Sequence, residues 1–367
     1  MKNHFQICFF RVMLLILAFF PTILFSQTDT TKTLNTNINL NSCFISEDMR
    51  NNICADSNVV FLSNNGQSWQ RINNVISSSN YVNLRSIFFI DSLVGWVAGD
   101  NGKAAKTIDG GQNWDDMNMQ IQSRINQIRF SNSDLGWAVG NNGIILKTTN
   151  GGSNWSVNYQ YFIVNSLNSI YVFQSDSNLI YVGGTGGFIS KSTNQGTNWQ
   201  SSNININKNI LSLKFVDSLV GYVVGEDKLI CKTTNGGQSW DSIAPPQTSS
   251  GVNFTSLVAF SDSSIVVCAD NGLIYQTDDN GNAWTTLNVG NNNSINCIHY
   301  QCGYILGAGD SGSYIQMTAV DPNLRICYDA YNLCLNMCGQ GNNSCIKQCG
   351  EIFIQCLKIL FPRLDMY

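Results

Sequence analysis

Histidine, proline and charged residues are all scarce in this chain, and each shortage narrows the possible functions. The 367 residues include 2 histidines, 5 prolines and 12% charged residues, with a formal net charge of −4. The chain has too few histidines for a multi-histidine metal centre, and a Ser/His/Asp triad is also disfavoured. His299 is predicted to be a packed strand residue. The few positive charges disfavour binding to nucleic acid through phosphate neutralisation. We therefore expect no catalytic residue, metal, cofactor or nucleic-acid partner.

Long apolar runs are also rare, and the one that could direct the chain to a membrane lies at the N-terminus. Residues 1–26 combine Lys2 and Arg11 with the run "VMLLILAFF" and a small, polar exit at "SQT". That order is typical of a cleaved secretory signal peptide, with a retained anchor as the alternative. No later apolar stretch is long enough to cross a bilayer. The sequence thus predicts a secreted, periplasmic or cell-surface protein without a transmembrane segment after cleavage.

The chain is rich in one short polar turn that ends in tryptophan. The turn reads "TIDGGQNW" at 107–114, recurs four times downstream, and has a degenerate copy, "LSNNGQSW", at 62–69. Self-similarity at a period of this size is the sign of one closed repeat architecture rather than of several independent domains. The closing tryptophans lie 41 to 45 residues apart: Trp69, Trp114, Trp155, Trp199, Trp240 and Trp284.

Each repeat reads as four short strands. In residues 84–117 the apolar runs "LRSIFFID" and "VGWVAGDNG" are followed by "KAAKT", the polar turn and "WDDMN". Four strands joined by hairpins form one blade of a propeller. The predicted fold class is all-β, a seven-bladed β-propeller of four-stranded blades over residues 41–322. Its units begin near residues 41, 84, 125, 167, 210, 255 and 294.

The last unit lacks a clear outer strand, although a closed ring must join its last blade to its first. The segment "TKTLNTNINL" at 31–40 has the length and the alternation to supply that strand. Residues 27–40 are therefore predicted to close the ring. Closure would remove sheet edges that otherwise aggregate.

The chemistry of the repeated turn is predicted to be structural. Its Thr or Ser can bond to the backbone, its Asp or Asn can accept from amides two residues on, and its Gly can take a positive φ. Each tryptophan buries a large face, which contributes about 2–3 kcal/mol. Besides Trp69, the residues assigned to this role are Asp109, Gly111 and Trp114; Asn150, Gly152 and Trp155; Asn194, Gly196 and Trp199; Asn235, Gly237 and Trp240; and Asp279, Gly281 and Trp284.

The turn pattern "S/T-x-D/N-x-G-x-x-W" resembles the Asp box, or BNR repeat, of sialidases and sortilin-type receptors. With "S-x-x-G-[WY]-x-x-G" upstream, as in "DSLVGWVAGDNG" at 91–102, it more closely resembles the photosystem II stability and assembly factor family. The resemblance covers roughly residues 41–320. It implies a seven-bladed propeller of a kind also found in relatives from non-photosynthetic bacteria. Because the shared residues are structural, they specify the fold more than the function.

That resemblance also implies a basic patch on the propeller, and few residues could form one here. Arg129 and Lys214 share one position of the innermost strand, and Arg85 lies on a neighbouring strand, so these three are the candidate binding residues. A row of lysines before the turn is either a basic arc or a solvated strand face: Lys106, Lys147, Lys191 and Lys232. We expect a secreted, non-enzymatic scaffold that binds a protein partner. A glycoside hydrolase using turn carboxylates and a glycan-binding adhesin are the alternatives.

Cysteine follows a different pattern past Pro322. The spacing C-x6-C-x3-C-x6-C-x3-C-x6-C places each trio on one helical face and predicts helices over 325–338 and 344–360. Because the spacing is palindromic, antiparallel helices would form the nested disulfides Cys327–Cys356, Cys334–Cys349 and Cys338–Cys345. Residues 323–367 are thus predicted to be a disulfide-stapled α-helical hairpin, with zinc binding as the alternative. Further candidate pairs are Cys43–Cys54, Cys231–Cys268 and Cys297–Cys302.

Overall fold

The computed structural model describes most of the chain between residues 24 and 320. The predicted cysteine-rich hairpin at 323–367, with its three nested disulfides, lies outside the described residues and stays a prediction. The same holds for most of the predicted signal peptide. The described ranges are 24–25, 32–46, 50–64, 66, 68–77, 82–158, 165–204, 206–290, 292–301 and 304–320.

Seven antiparallel sheets confirm the predicted seven-bladed, all-β propeller. Each sheet is one blade and follows the chain outward from the axis. The innermost strands are β3 (Leu40–Ile45), β7 (Leu84–Phe89), β11 (Ile125–Phe130), β15 (Leu167–Val172), β19 (Ile210–Phe215), β23 (Phe254–Ala259) and β27 (Ile295–Gln301). The second strands are β4 (Asn51–Ala55), β8 (Gly95–Gly99), β12 (Gly136–Gly140), β16 (Ile180–Gly184), β20 (Gly221–Gly225), β24 (Ile265–Ala269) and β28 (Tyr304–Gly309).

The outer half of each blade is shorter and more exposed. The third strands are β5 (Val59–Ser63), β9 (Lys103–Thr107), β13 (Ile145–Thr148), β17 (Phe188–Ser192), β21 (Leu229–Thr233), β25 (Leu273–Thr277) and β29 (Ser313–Val320). The outermost strands of blades one to six are β6 (Gln70–Asn73), β10 (Asp115–Asn118), β14 (Ser156–Val157), β18 (Gln200–Asn203), β22 (Asp241–Ser242) and β26 (Thr285–Asn288). In four blades a single 3₁₀ turn joins the second strand to the third: Asp100–Gly102, Asn141–Gly143, Thr185–Gly187 and Asp310–Gly312. The described ranges contain no α-helix.

Blade seven takes its outer strands from the N-terminal segment. β2 (Lys32–Thr33) pairs antiparallel with Ser313 and Tyr314 at the start of β29. The two-residue strand β1 (Leu24–Phe25) pairs with the other end of β29, at Ala319 and Val320. β1 lies within the predicted signal peptide, whose cleavage remains a prediction. The pairing of β2 covers the edge of β29 that would otherwise be unpaired.

Most second strands are apolar because both of their faces are covered by neighbouring blades; β4, with Asn51 and Asn52, is the exception. All five residues of β8 are buried, as are those of β12. A strand that packs on both sides loses the alternation of a half-exposed strand and keeps small or β-branched residues. The glycine that opens this strand has a local cause: a Cβ on Gly95 would lie 2.5 Å from the ring of Phe89.

The innermost strands are joined to one another by polar side chains. Each has a register irregularity at its second residue. In five of the seven blades the side chain of this residue bonds to the next blade. The Nδ2 of Asn126 donates to Leu167 O at 2.8 Å, and that of Asn168 donates to Ile210 O at 2.8 Å. The Nδ2 of Asn296 in blade seven donates to Leu40 O at 3.1 Å. Blade seven is therefore bonded to blade one at the axis as well as at the rim.

A second set of contacts joins the repeated turn to the preceding blade. The Nε1 of Trp96 donates to Gly151 O at 3.1 Å, and the hydroxyl of Tyr181 donates to Gly236 O at 2.9 Å. In four blades a lysine on the third strand pairs with an aromatic residue on the second strand, and the lysine ammonium lies over the aromatic ring. These pairs are Lys106 on Trp96 at 5.4 Å, Lys147 on Trp137 at 5.7 Å, Lys191 on Tyr181 at 5.4 Å and Lys232 on Tyr222 at 5.7 Å. The lysine row is thus engaged in cation–π contacts and is not a free basic arc.

The repeated turn is held by its own Thr and Asp or Asn side chains. In blade two the Oγ1 of Thr107 donates to Asp109 Oδ1 at 2.8 Å and accepts from the Gly111 amide at 2.9 Å. Asp109 Oδ1 also accepts from the Asn113 amide at 2.9 Å, so it bonds the amide four residues on rather than the predicted two. Gly111 has a φ of 91°, which glycine adopts without a steric penalty.

All three predicted disulfides outside the tail are wrong, because none of Cys43, Cys231, Cys268 and Cys297 is in a disulfide. Cys231, Cys268 and Cys297 are buried free thiols, so neither Cys231–Cys268 nor Cys297–Cys302 is bridged. The reason is the packing of the blades, because Cys231 lies in the core between blades four and five and Cys268 in the core between blades six and seven. The Sγ of Cys43 donates to Leu306 O of blade seven at 3.2 Å.

The turn hydroxyl provides a test of this structural role. Replacing Thr233 with Val keeps the shape of the side chain but removes the group that accepts from Gly237 N at 2.9 Å. Thr233 is fully buried, so the unpaired amide should lower the free energy of unfolding by about 1–3 kcal/mol. Urea unfolding followed by tryptophan fluorescence measures the change. The exposed neighbour Thr234 gives the matched control, and Thr234→Val should change stability by less than about 0.5 kcal/mol. Equal effects of the two substitutions would contradict this assignment.

Candidate functional site

The fifth residues of the seven innermost strands form a ring around the propeller axis. The fourth residues of these strands are buried, so alternation turns the fifth toward the axis. Contacts between neighbours support this placement, because the ring of Phe44 lies 4.5 Å from that of His299 and 5.4 Å from that of Phe88. We call these residues the axial ring: Phe44, Phe88, Arg129, Tyr171, Lys214, Val258 and His299.

A cavity of about 540 Å³ opens at the end of the propeller where the innermost strands finish. All members of the axial ring except Arg129 line it, together with residues of the strand ends such as Gln174, Phe215 and Tyr300. We call it the axial cavity and the side on which it opens the cavity face. Its wall is largely aromatic, and Lys214 supplies its positive charge. Clefts of this size with apolar walls and a few polar groups are typical ligand sites.

Arg129 and Lys214 bring two positive charges close together at the axis. The guanidinium of Arg129 lies 5.4 Å from the centre of the Phe88 ring and donates to its neighbour's carbonyl, Ile128 O, at 2.8 Å. Burial lowers the pKa of Arg129 to about 10, so the group stays charged at neutral pH. Burial and the nearby charge of Arg129 lower the pKa of Lys214 to about 7. Among the described residues Lys214 has no hydrogen bond or ion pair.

His299 belongs to the axial ring rather than to the interior of a sheet. Its side chain is half-buried, and its Nδ1 accepts from the Ile45 amide at 3.2 Å. Burial and the charges of Lys214 and Arg129 hold the pKa of His299 well below its usual value. The ring is therefore neutral at physiological pH, with Nδ1 as the acceptor and Nε2 carrying the proton. The prediction of a packed strand residue missed its position on the cavity wall.

Arg85 does not join the other two candidate binding residues. It is the second residue of its strand, and its Nε pairs with Asp100 Oδ1 at 3.2 Å. It lines a separate polar pocket of about 380 Å³, with Asn126, Asn296 and Asp310 among its neighbours. The second residues lie at the start of the innermost strands and the fifth residues near their ends. The structure therefore places Arg85 at the opposite mouth of the axis, where its charge is already neutralised.

Exposed apolar side chains also lie on the cavity face. Leu93 and Leu219 are 49% and 56% exposed, and they occupy the hairpins that follow the innermost strands β7 and β19. Ile108, in the repeated turn of blade two, is 67% exposed. Both kinds of hairpin lie at the end of the blade where the innermost strand finishes. These three side chains provide apolar surface on that face.

The described residues show no sign of a metal centre or a membrane-spanning helix. No group of three or more metal-ligating side chains comes together within the described ranges. Within the same part of the chain there is no apolar helix of the length that a bilayer requires.

Several solved structures share this fold. One, described as YCF48 bound to D1 peptide, is 16% identical with a TM-score of 0.68, and the match covers 80% of this chain and 95% of that chain. YCF48 from Cyanidioschyzon merolae is also 16% identical, with a TM-score of 0.66 and coverage of 79% and 99%. The GH74 enzyme of Niastella koreensis is 14% identical, with a TM-score of 0.63 and coverage of 78% and 53%. Identities this low establish the fold alone.

The search of curated proteins found no match. The family comparison is more specific than the shared fold. A family described as photosynthesis system II assembly factor YCF48 matches at residues 63–161 and 190–295, which together exceed half of the chain. Those residues hold the repeated turns and second-strand motifs on which the sequence resemblance rests, and the match confirms that resemblance. The chain belongs to the photosynthesis system II assembly factor YCF48 family.

Proposed function

We propose that this protein is a non-enzymatic scaffold that binds a polypeptide partner on its cavity face, with an acidic group of the partner entering the axial cavity. The observation that carries the proposal is Lys214, a positive charge held in a cavity wall without an anion from the described part of the chain. The N-terminal leader suggests that the scaffold acts outside the cytoplasm.

The charge pair at the axis opposes folding. Moving a lysine out of water disfavours its charged form, and a second cation nearby disfavours it further. An apolar residue would fit this aromatic wall better, as Val258 does at the same position of blade six. A charged group that destabilises the fold and lies in a cleft is a candidate for ligand binding, because a role in binding accounts for its presence there. We therefore assign Lys214 and Arg129 to recognition of a negative charge.

The surroundings of the charge favour a peptide over a small ion. The aromatic side chains Phe44, Phe88 and Tyr171 offer apolar surface next to Lys214, and exposed leucines extend that surface beyond the cavity. A peptide can place a carboxylate at the axis and apolar side chains on the rim. The relative described as YCF48 bound to D1 peptide shows that a propeller of this family accepts a peptide.

A glycoside hydrolase is the other function to consider, because GH74 enzymes share the fold. Such an enzyme needs two carboxylates that flank its cleft. Among the described residues that line the axial cavity, Asp91 is the carboxylate. Its Oδ1 accepts hydrogen bonds from the amides of Leu93 and Val94 at 2.8 and 2.6 Å, so this carboxylate stabilises the hairpin turn. Asp217 has the same role in blade five, where it accepts from Leu219 and Val220. The geometry therefore favours the scaffold.

Selection from a random-peptide library tests the proposed function. The wild-type protein should enrich peptides that carry Asp, Glu or a free C-terminal carboxylate, and Lys214→Met should weaken their binding by about tenfold or more because a desolvated charge pair is lost. Arg85→Gln is the matched control, since it removes a positive charge at the opposite mouth and should leave binding unchanged. Fluorescence polarisation with an enriched peptide measures each affinity. A glycan array should give no signal.

Three results would oppose the proposal. The first is enrichment of no peptide by the wild-type protein. The second is equal binding by Lys214→Met and wild type. The third is specific glycan binding without peptide binding, which would favour the hydrolase or adhesin instead.

The stability of the free protein provides an independent check. Since the pKa of Lys214 is lowered in the folded state, its charge opposes folding below its unfolded pKa of about 10.4. Lys214→Met should therefore raise Tm by roughly 2–4 °C near neutral pH, and the gain should shrink as pH rises toward 10. Lys208→Met is the contrasting variant, because it removes the ion pair between Lys208 and Asp227 at 2.9 Å and should lower Tm slightly. Scanning calorimetry at several pH values measures both. A lower Tm for Lys214→Met would contradict the assignment.

A further inference from the structure

Lys214 is surrounded by groups that favour its neutral form. Arg129 approaches from β11, two blades before Lys214, and His299, with its neutral imidazole, lies on β27, two blades after it. Tyr171, on β15, has its pKa raised to about 12 by burial, so it stays a neutral phenol. Cys43, on β3, is the nearby group whose ionised form would favour the charged lysine. None of these described groups supplies a permanent negative charge.

The carboxylate that lines the same cavity does not compensate for this. Asp91 lies in the hairpin after β7, and its Oδ1 is held by two backbone amides at 2.8 and 2.6 Å. Lys214 itself lies on β19, three blades further along the chain. An anion that enters from outside would therefore be the first negative charge next to the Lys214 amine among the described groups.

We propose that the axial cavity takes up one proton at Lys214 when an anionic group of the partner binds. This inference rests on the proposed function and adds its regulation, since it makes binding depend on pH. The amine is neutral in part of the free molecules, and the bound carboxylate stabilises the ammonium form. Proton uptake and anion binding are then linked, and each favours the other.

The direction of the pH effect follows from the free and bound forms. Free Lys214 has a pKa of about 7, lowered by burial and by Arg129, and an adjacent carboxylate raises it. Below the free pKa the amine is charged in both forms, so affinity is constant. Above it, binding requires a proton, so affinity falls by up to tenfold for each pH unit until the bound pKa is reached. The partner would thus be held in neutral or mildly acidic surroundings and released in alkaline ones.

Calorimetry with an enriched acidic peptide tests the linkage. Titrations at pH values from about 6 to 9 should show wild-type affinity falling above pH 7. Near pH 8, two buffers with different ionisation enthalpies should reveal uptake of a substantial fraction of a proton. Lys214→Arg is the informative variant, because arginine keeps the positive charge but does not titrate in this range. It should bind with an affinity that is constant over the same pH values. A flat wild-type profile, or the same slope in Lys214→Arg, would overturn the inference while leaving peptide binding intact.

A direct titration of the lysine tests the same inference without any peptide. In protein labelled with ¹³C at lysine Cε, the signal lost in Lys214→Arg identifies Lys214. It should titrate near neutral pH in the free wild-type protein, and its midpoint should rise when inorganic phosphate is added. Lys147, Lys191 and Lys232, whose pKa values are also lowered by burial, are the internal comparison. A Lys214 signal that titrates with them, or one that phosphate leaves in place, would overturn the proposal even if no peptide had been found.

Discussion

The closure of seven sheets into a ring is the constraint on which the rest of this structure depends. A blade cannot bury its own faces, so each must pack on two neighbours, and the polar groups between them must find partners. Asparagine side chains make these bonds at the axis, where Asn296 joins the last blade to the first. The repeated turns make them farther out, where Trp96 and Tyr181 donate to carbonyls of the following blade. The motif that defines the repeat is therefore a joint between blades as much as a turn within one.

The same constraint leaves a small part of the chain available for function. Residues that face a neighbouring blade are committed to packing, whereas the fifth residues of the innermost strands surround the axis, although Phe88 and Val258 also pack in the cores between blades. In this chain those positions hold aromatic side chains and the two cations Arg129 and Lys214. A propeller can change its ligand by changing this ring while its blades stay the same. GH74 enzymes share this fold, so the blades alone do not specify a function.

The sequence predicts the architecture well because the repeat is regular. The expected unit starts at 84, 125, 167 and 210 are the first residues of β7, β11, β15 and β19. The strand that covers β29 comes from residues 32–33, which the alternation of "TKTLNTNINL" had suggested. These features depend on local turns and on apolar patterns, and both can be recognised in a single amino-acid sequence.

The site was harder to predict because it depends on register between blades. Arg85 and Arg129 both lie on innermost strands, but Arg85 is the second residue of its strand and Arg129 is the fifth. Arg85 therefore lies at the opposite mouth, paired with Asp100. His299 looked like a packed residue because its neighbours are apolar. Aligning the fifth residue of every unit would have grouped it with Lys214 and the aromatic wall. The disulfide predictions for Cys231 and Cys268 failed because their spacing in sequence does not reveal which blade interface each one fills.

The decisive measurement is a crystal structure of the protein with an enriched acidic peptide. A peptide carboxylate should lie within hydrogen-bond distance of the Lys214 Nζ, with the peptide chain crossing the cavity face near Leu93 and Leu219. A peptide bound at the opposite mouth beside Arg85, or along the outer edge of a blade, would contradict it.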